Sequence, residues 1–545
     1  MKFSAARAKL PTLKNSLLAV VSAILLIFAF PDFDFWFLAW VSLVPLFFAV
    51  EREKQSVIKS FVLGWIFGVC FFFGSCWWLT YAPTTYGGVP SVISYALLFG
   101  AASIVGLFPA IFAALFALFL KRFGALALLS APFLWTATEF LRFNLTGNNW
   151  NAIGYSQAFA NNFIQSAQIG GVYLVGFSLL VFNTITTAVF LCVVCAFAGN
   201  KFCGNLEERK SITFFSLLIL LFFLPFASIP NFNFKDNPVE KTESIIIAIQ
   251  PNVPMNGLKY GERESLRARH VELAEDTLQK IIEQRANDNQ QSTIVIFPES
   301  PMNFEYESDR ELKSFLRDFA VRNDASVLFN SAQPNKRGTN FFNSAVMINA
   351  RGEKIAQYDK IHLVPFGETV PVPEPLAQFI PTMVGNFETG ANYNLFPLGD
   401  ELKGGVMICF ESHFPSLSRE YAREGADVLI EMTNDGYLGK TPVLRQHLAN
   451  AVFRAVETNR PVLRVTNVGI TAYITERGEV LDAAESYTQD AKVWTVSKSS
   501  GAQTVYVKYG DWFAWLCSIA SLALLFFSFW KSKINGKVNA KNFGS

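Results

Sequence analysis

Residues Gly404-Gly405-Val406-Met407-Ile408-Cys409-Phe410-Glu411 read as a short buried strand that stops at a cysteine, with a carboxylate two positions further on. Cys409 is the only cysteine in the long polar part of the chain. The other six, Cys70, Cys76, Cys192, Cys195, Cys203 and Cys517, lie in or beside very hydrophobic segments. Two more apolar segments end on groups of complementary chemistry. Ile294-Val295-Ile296-Phe297-Pro298 runs into Glu299, and Tyr358-Asp359 into Lys360. A cysteine nucleophile needs its thiolate. A carboxylate can take the thiol proton once burial raises its pKa, and a lysine ammonium can stabilise both the thiolate and an oxyanion. Glu299, Lys360 and Cys409 are therefore candidates for one acyl-transfer site, with Glu368 of Pro365-Phe366-Gly367-Glu368 placed to orient the lysine or share the proton.

Around these residues, positions 240–505 have the composition of a soluble domain. Strands are expected at Ser244–Gln250, Thr293–Phe297, Ser326–Asn330, Ser344–Ile348, Gly404–Ile408, Asp427–Met432, Pro461–Thr466, Thr471–Thr475 and Val493–Val496. Helices are expected near 261–287, 308–323, 414–424 and 442–459. The last opens on Thr441-Pro442, an N-cap with proline at the first helical position, and its Leu444, Leu448, Val452 and Val456 share one face. Strands interleaved with helices predict a layered α/β domain. Residues 369–389 hold Pro371, Pro373, Pro375 and Pro381 among Leu376, Phe379, Ile380, Met383 and Val384, which suits an apolar lid.

The rest of the chain is of another kind. Of 545 residues, 51% are hydrophobic and only 17% charged, with a mean hydropathy of +0.28, so membrane spans are expected. Apolar stretches fall near 14–30, 35–50, 60–79, 91–120, 124–140, 168–197 and 212–229, and an eighth near 511–530. The basic residues lie at the N-terminus, in alternate loops (Arg52, Lys54, Lys59; Lys121, Arg122; Lys201, Arg209, Lys210) and in the tail (Lys531, Lys533, Lys537, Lys541). By the positive-inside rule these sit in the cytoplasm and the polar segment on the opposite side. The domains so read are 1–232 with seven transmembrane helices, 240–505 as an extracytoplasmic catalytic domain, and 508–545 with the eighth helix and a cytoplasmic tail. The Cys192-x-x-Cys195 pair lies in an apolar helix and reads as packing. The four histidines lack ligand spacing, so no metal or other cofactor is expected, and no dense basic stretch argues for nucleic acid.

Phe297-Pro298-Glu299, Tyr358-Asp359-Lys360, His362 through Glu368 and Ile408-Cys409-Phe410-Glu411 together resemble the nitrilase superfamily signature. The flanking spans narrow the resemblance to the apolipoprotein N-acyltransferase family of bacterial inner membranes. Gln250-Pro251-Asn252-Val253-Pro254, Phe342-Asn343-Ser344, Thr433 through Tyr437, Arg464 through Gly469, Trp135 through Arg142 and Gly154 through Gln157 also resemble its motifs. The resemblance implies an α-β-β-α sandwich, with Glu299 as general base, Lys360 as stabiliser, Cys409 as nucleophile, and Glu368 and Glu411 as further functional glutamates. Three aromatic positions depart from the family pattern near the site: Phe297 stands where tryptophan is common before Pro-Glu, Phe410 lacks the hydroxyl of a common tyrosine, and Tyr260 stands where tryptophan is common. The implied partners are a membrane phospholipid donor, a diacylated apolipoprotein acceptor and the bilayer, for a protein acting as a monomer.

Three other readings compete with this one. A membrane-tethered nitrilase-type amidohydrolase would use the same triad with water as acceptor. His413 or His362 would pair with Cys409 in a papain-like arrangement. A transporter with a binding module would carry ionisable groups within its spans, where only Glu139 and Arg142 appear, at a span end.

Overall fold

The computed structural model describes residues 10–198, 243–255, 263–284, 292–299, 305–370, 386–399 and 401–542. Packing divides the chain into two compact units, one from 1–80, 90–231 and 511–545 and the other from 81–89 and 232–510. The expected span at 212–229, most of the proline-rich lid and Tyr260 lie outside the described residues.

The first unit is helical. Four stretches are long and apolar enough to cross a membrane: Val57–Ser75, Ser91–Thr146, Ala167–Leu191 and Trp512–Trp530. Leu13–Ala29 is a shorter apolar helix. The run from Ser91 to Thr146 is broken rather than tilted. Helix Ser91–Val105 stops at Gly106, helix Leu107–Phe123 follows, and a 3-10 segment Gly124–Ser130 leads into helix Ala131–Thr146. Pro109 sits in the first turn after the break, where its missing N–H costs no hydrogen bond. The apolar stretch expected at 35–50 forms no single helix: a 3-10 turn Trp36–Trp40 gives way to the ten-residue helix Val44–Glu53, with proline near its start. The long helix Ala167–Ala198 is kinked at Gly170 and Gly171, the latter at φ 64°. Helices Val57–Ser75 and Leu107–Phe123 touch backbone to backbone. A Cβ at Gly64 would lie 2.3 Å from the Pro109 carbonyl oxygen, and one at Gly68 2.7 Å from the Gly106 Cα. Small residues four apart on one face permit this approach.

Among the described residues, the second unit has twelve strands in two sheets. The first sheet runs β12–β1–β2–β3–β4–β5 and the second β6–β7–β8–β9–β10–β11. The strands are β1 Glu243–Gln250, β2 Thr293–Ile296, β3 Ser326–Pro334, β4 Phe341–Ile348, β5 Lys354–Asp359, β6 Leu395–Pro397, β7 Lys403–Ile408, β8 Val428–Thr433, β9 Val462–Thr466, β10 Ala472–Ile474, β11 Val480–Leu481 and β12 Asp490–Ser497. Read in these orders, both sheets pair antiparallel, parallel, parallel, antiparallel, antiparallel. Helix α1 (Arg263–Gln284) joins β1 to β2, and α2 (Arg310–Asn323) joins β2 to β3. In the second half α3 (Pro415–Arg423) joins β7 to β8, and α4 (Val443–Thr458) joins β8 to β9. The unit is one supersecondary pattern used twice.

Alternation explains the layers. Ile245, Ile247, Ile249 and Val295 point to one face of the first sheet and pack on Val271, Leu278, Leu312, Leu316 and Phe319 of α1 and α2. Ile246, Ala248, Ile294 and Ile296 point to the opposite face and are equally buried. On that inner side β1 meets β9 and β4 meets β7, while α3 and α4 lie on the outside of the second sheet. The arrangement is the expected α-β-β-α sandwich of a nitrilase-like domain.

All nine expected strands and all four expected helices form, with three differences. Strands β5, β6 and β11 were absent from the expectation: β5 is half exposed and carries no continuous apolar run, and β6 and β11 have three and two residues. Thr441 does not cap α4; its hydroxyl donates to the Leu438 carbonyl, and Pro442, already in helical conformation, takes the cap position. Helix α4 is also not one-faced. His447, Asn450, Arg454, Glu457 and Thr458 are as buried as its leucines and valines.

Candidate active site

The three candidate residues follow the ends of β2, β5 and β7. Cys409 begins the one-turn 3-10 segment Cys409–His413 after β7. Its φ of 54° lies in the left-handed region, a conformation costing roughly 1–3 kcal/mol for a residue with a side chain. The turn bends the chain sharply and leaves Cys409 half-buried.

Lys360 is fully buried. Its ammonium lies 2.9 Å from both oxygens of Glu368 and 3.7 Å from Glu299 Oε1. Asn343 on β4 donates through Nδ2 to Glu299 Oε1 at 3.0 Å and to Glu368 Oε1 at 2.7 Å, so one amide fixes both carboxylates. The Asn434 N–H donates to Glu299 Oε2 at 3.2 Å, and the Val364 N–H to Glu368 Oε2 at 2.9 Å. Glu299 and Cys409 lie close enough for each to influence the ionisation of the other. Gly390 closes on the strand end before Lys360: its N–H donates to the Lys360 carbonyl at 2.8 Å, and a Cβ there would lie 2.0 Å from the Asp359 carbonyl oxygen.

The electrostatics follow from this packing. Burial raises the Glu299 pKa above the ordinary carboxylate range; Lys360 pulls it down and Glu368 pushes it up. Burial opposes the charge on Lys360, but Glu368 and Glu299 outweigh it and hold the ammonium's pKa above that of an ordinary lysine. Burial and the Glu299 charge push the Cys409 thiol well above its usual value, against the pull of Lys360. A resting thiol beside a carboxylate made more basic by burial, with a fixed cation at hand, is a proton-transfer pair with an anion stabiliser.

Glu411 serves the same turn from behind. Its Oε1 accepts from the Tyr358 hydroxyl at 2.7 Å and the N–H groups of Ile361 and His362 at 2.7 and 3.0 Å; its Oε2 accepts from the Ile408 N–H at 2.8 Å. One carboxylate thus staples the residues after Lys360 to the residue before Cys409. Burial raises its pKa to about 6, partly offset by Lys360 and these donors. Phe410 stacks on His413 at 5.3 Å, and His362 stacks on Phe414 at 3.9 Å, so both histidines of the papain-like reading are committed to aromatic contacts.

Four residues beneath Cys409 were assigned no role from the sequence, although Asp435 and Arg464 fall in stretches that resemble family motifs. Glu431 on β8 and Arg464 on β9 are register partners, bonded at 2.5 Å. Arg464 also reaches Asp435 Oδ2 at 2.7 Å, and His447 lies 2.8 Å from Asp435 Oδ1. Their signal is visible in hindsight: Glu431 and Arg464 are single charges in the middle of adjacent apolar runs. Asn343 carries no charge to mark it; only the resemblance of Phe342-Asn343-Ser344 to a family motif pointed to it. Among the described residues no cluster suited to a metal ion occurs.

Comparison with known proteins bears on both units. Residues 22–185 match the model of the apolipoprotein N-acyltransferase N-terminal domain, and residues 248–503 that of carbon-nitrogen hydrolase. The apolipoprotein N-acyltransferase of Geobacter metallireducens is 31% identical over 96% of both chains. This chain belongs to the apolipoprotein N-acyltransferase family. Relatives of the same name from Thermotoga maritima and Pasteurella multocida are 27% and 26% identical, covering 94% and 91% of this chain and 93% and 91% of their own. A solved carbon-nitrogen hydrolase from Helicobacter pylori aligns with 50% of this chain and 94% of its own, at 15% identity and a TM-score of 0.36. Family membership and the apolar helices together make this a membrane-associated acyltransferase with a nitrilase-like catalytic fold.

Proposed function

We propose that the chain moves an acyl group from a membrane phospholipid to the N-terminal amine of an S-diacylglyceryl-cysteine apolipoprotein, by way of a thioester on Cys409. The observation that carries this reading is the convergence of Glu299, Lys360 and Cys409 at strand ends, in a chain that aligns over 96% of its length with a member of that family. In the first half-reaction Glu299 takes the Cys409 proton as sulfur attacks the ester carbonyl. The oxyanion forms beside the Lys360 ammonium, the C–O bond breaks, and the leaving lysophospholipid receives the proton. In the second, the amine attacks the thioester, Glu299 accepts the amine proton, the C–S bond breaks and the thiol is restored. Water would end the cycle early, so an apolar lid at 369–389 suits the chemistry.

The finer assignments form part of the same proposal. Domains 1–232, 240–505 and 508–545 place eight spans in the bacterial inner membrane, both termini in the cytoplasm and the catalytic domain in the periplasm; the alternation of basic loops supports this. The protein acts as a monomer. Mass spectrometry of the full-length protein after incubation with phospholipid is the test. An acyl mass on the Cys409 peptide, absent in Cys409→Ala, is expected. Triacylated lipopeptide produced by Cys409→Ala would overturn the assignment. Free fatty acid as the sole product, with a lipopeptide amine present, would favour the amidohydrolase alternative.

A further inference from the structure

Beneath the nucleophile lies a closed group of four charges that the reaction scheme does not use. His447 lies on α4, Glu431 on β8, Asp435 just after β8 and Arg464 on β9, all at most a few percent exposed. Both nitrogens of the His447 ring face acceptors. Nδ1 is 2.8 Å from Asp435 Oδ1; Nε2 is 3.0 Å from Glu431 Oε1 and 3.1 Å from the backbone carbonyl oxygen of Cys409. A carbonyl oxygen cannot donate, so a neutral ring, with one N–H, would leave a nitrogen lone pair against an acceptor. The geometry calls for the imidazolium. Arg464 bridges the two carboxylates from the other side, at 2.5 Å and 2.7 Å, so two cations balance two anions.

We propose that His447 is a positioning residue for the nucleophile: its doubly protonated ring ties the Cys409 carbonyl to the Glu431–Asp435–Arg464 group and so holds the strained turn that presents the thiol. The left-handed φ of Cys409 persists only where its surroundings over-determine it. Glu411 restrains the residue before it through the Ile408 N–H, and His447 restrains the peptide after it. Because that peptide is planar and trans, fixing the Cys409 carbonyl also fixes the Phe410 N–H in the opposite direction. The charge contributes as well. Loss of the His447 proton leaves the group with a net charge of −1 close to sulfur, which disfavours the thiolate.

The groups around His447 set its titration. Burial favours the neutral ring, Glu431 opposes burial, Arg464 acts with burial and Asp435 against it, and the balance lifts the pKa to about 9. Further titratable or charged groups lie on the elements packed against α4: Cys409, Glu411 and His413 on the 3-10 turn and Tyr437 just after Asp435, with the Arg454–Glu457 pair on α4 itself. The restraint is therefore in place at neutral pH and is lost as pH rises through about 9.

The inference rests on the acyl-transfer reading only for its second measurement. The first follows alkylation of the Cys409 peptide by iodoacetamide in the full-length protein, by mass spectrometry, from pH 7 to 10.5. The wild-type rate should rise with pH and flatten near pH 9. His447→Gln, which keeps one donor but no charge, should react about 10-fold more slowly at pH 7.5 and show no break. The second follows thioester formation from phospholipid vesicles, where His447→Gln should lose about 10-fold or more. Equal rates for wild type and His447→Gln across this range would overturn the proposal. A wild-type alkylation profile without a break between pH 8 and 10 would do the same and needs no variant. If wild type forms no thioester, the acyl-transfer reading fails while the alkylation result still decides the role of His447.

Discussion

Glu299 and Asp435 occupy corresponding places in the two halves of the sandwich. One follows β2 and the other β8, the second strand of each parallel trio, and both carboxylates lie near Cys409, Asp435 buried and Glu299 nearly so at 12% exposure. Their environments send them opposite ways. Burial would raise the pKa of Asp435, but Arg464 and His447 more than cancel it and hold the acid below its usual value. Among the described residues Glu299 has one cation, 3.7 Å away, which it shares with the closer Glu368, and burial prevails. The same fold position thus yields a locked anion in one half and a basic carboxylate in the other. The number of cations at contact distance decides which.

The largest effect should come from Glu299→Gln. If this carboxylate carries the proton, thioester formation should fall by about 10²–10⁴-fold. Some stability is lost as well, about 1–3 kcal/mol, because the amide oxygen can keep only one of the two donors that now reach separate oxygens, Asn343 at Oε1 or the Asn434 N–H at Oε2; thermal melting confirms that the variant is folded. Normal acyl-Cys409 in this variant would remove Glu299 from the base role. Asp435→Asn should behave in reverse order, with stability lost first. Removing one anion leaves His447 and Arg464 under-compensated in the interior, a cost of about 3–5 kcal/mol. A clear drop in thermal stability is the expected result; a variant as stable as wild type but inactive would make Asp435 a second participant in proton transfer.

The sequence exposed these two halves unequally. Glu299 and Cys409 could be found because each follows an apolar run, and a polar group at a strand end stands out; Lys360 follows β5, which has no such run, and was found through Tyr358-Asp359-Lys360. Buried strands such as Ile245–Ile249 were legible for the same reason. The balance around Asp435 was not, since it depends on a cross-strand register, Glu431 to Arg464, and on a histidine from a helix 12 residues on. Helix α4 shows the limit plainly: its four-residue repeat of Leu444, Leu448, Val452 and Val456 predicts a single buried face. Tertiary partners bury the polar face as well, through Arg454 with Glu457 and His447 with Asp435. Asn343, whose amide holds both Glu299 and Glu368, stands in the motif-like Phe342-Asn343-Ser344 but shows its role only once β4 is aligned beside β5.

Glu411 offers a smaller and sharper test, because it is a buried carboxylate held mainly by neutral donors. Three N–H groups and the Tyr358 hydroxyl occupy its oxygens. Glu411→Gln would turn an amide NH2 toward at least one of those N–H groups, leaving a donor unsatisfied at a cost of about 1–3 kcal/mol, less than for Asp435→Asn. The pH dependence separates the two carboxylates by sign. The Glu411 pKa is raised from 4.5 to about 6, so its contribution to stability is fully present below 4.5 and is lost as pH rises through about 6. At low pH the protonated acid can donate to Tyr358, whose hydroxyl rotates to accept, while the three N–H groups keep their acceptors. Asp435 is lowered, so its contribution is present above its ordinary value near 3.8 and is lost only as pH falls below it. Thermal melting of full-length wild type and Glu411→Gln between pH 4 and 7 should show the wild type losing about 2 kcal/mol relative to the variant over that window, at about 1.4 kcal/mol per unit of pKa shift. Parallel melting curves would mean that the hydrogen bonds, rather than burial, set the charge on Glu411. The cation count would then not be the sole difference between the halves, and backbone donors would have to be counted with it.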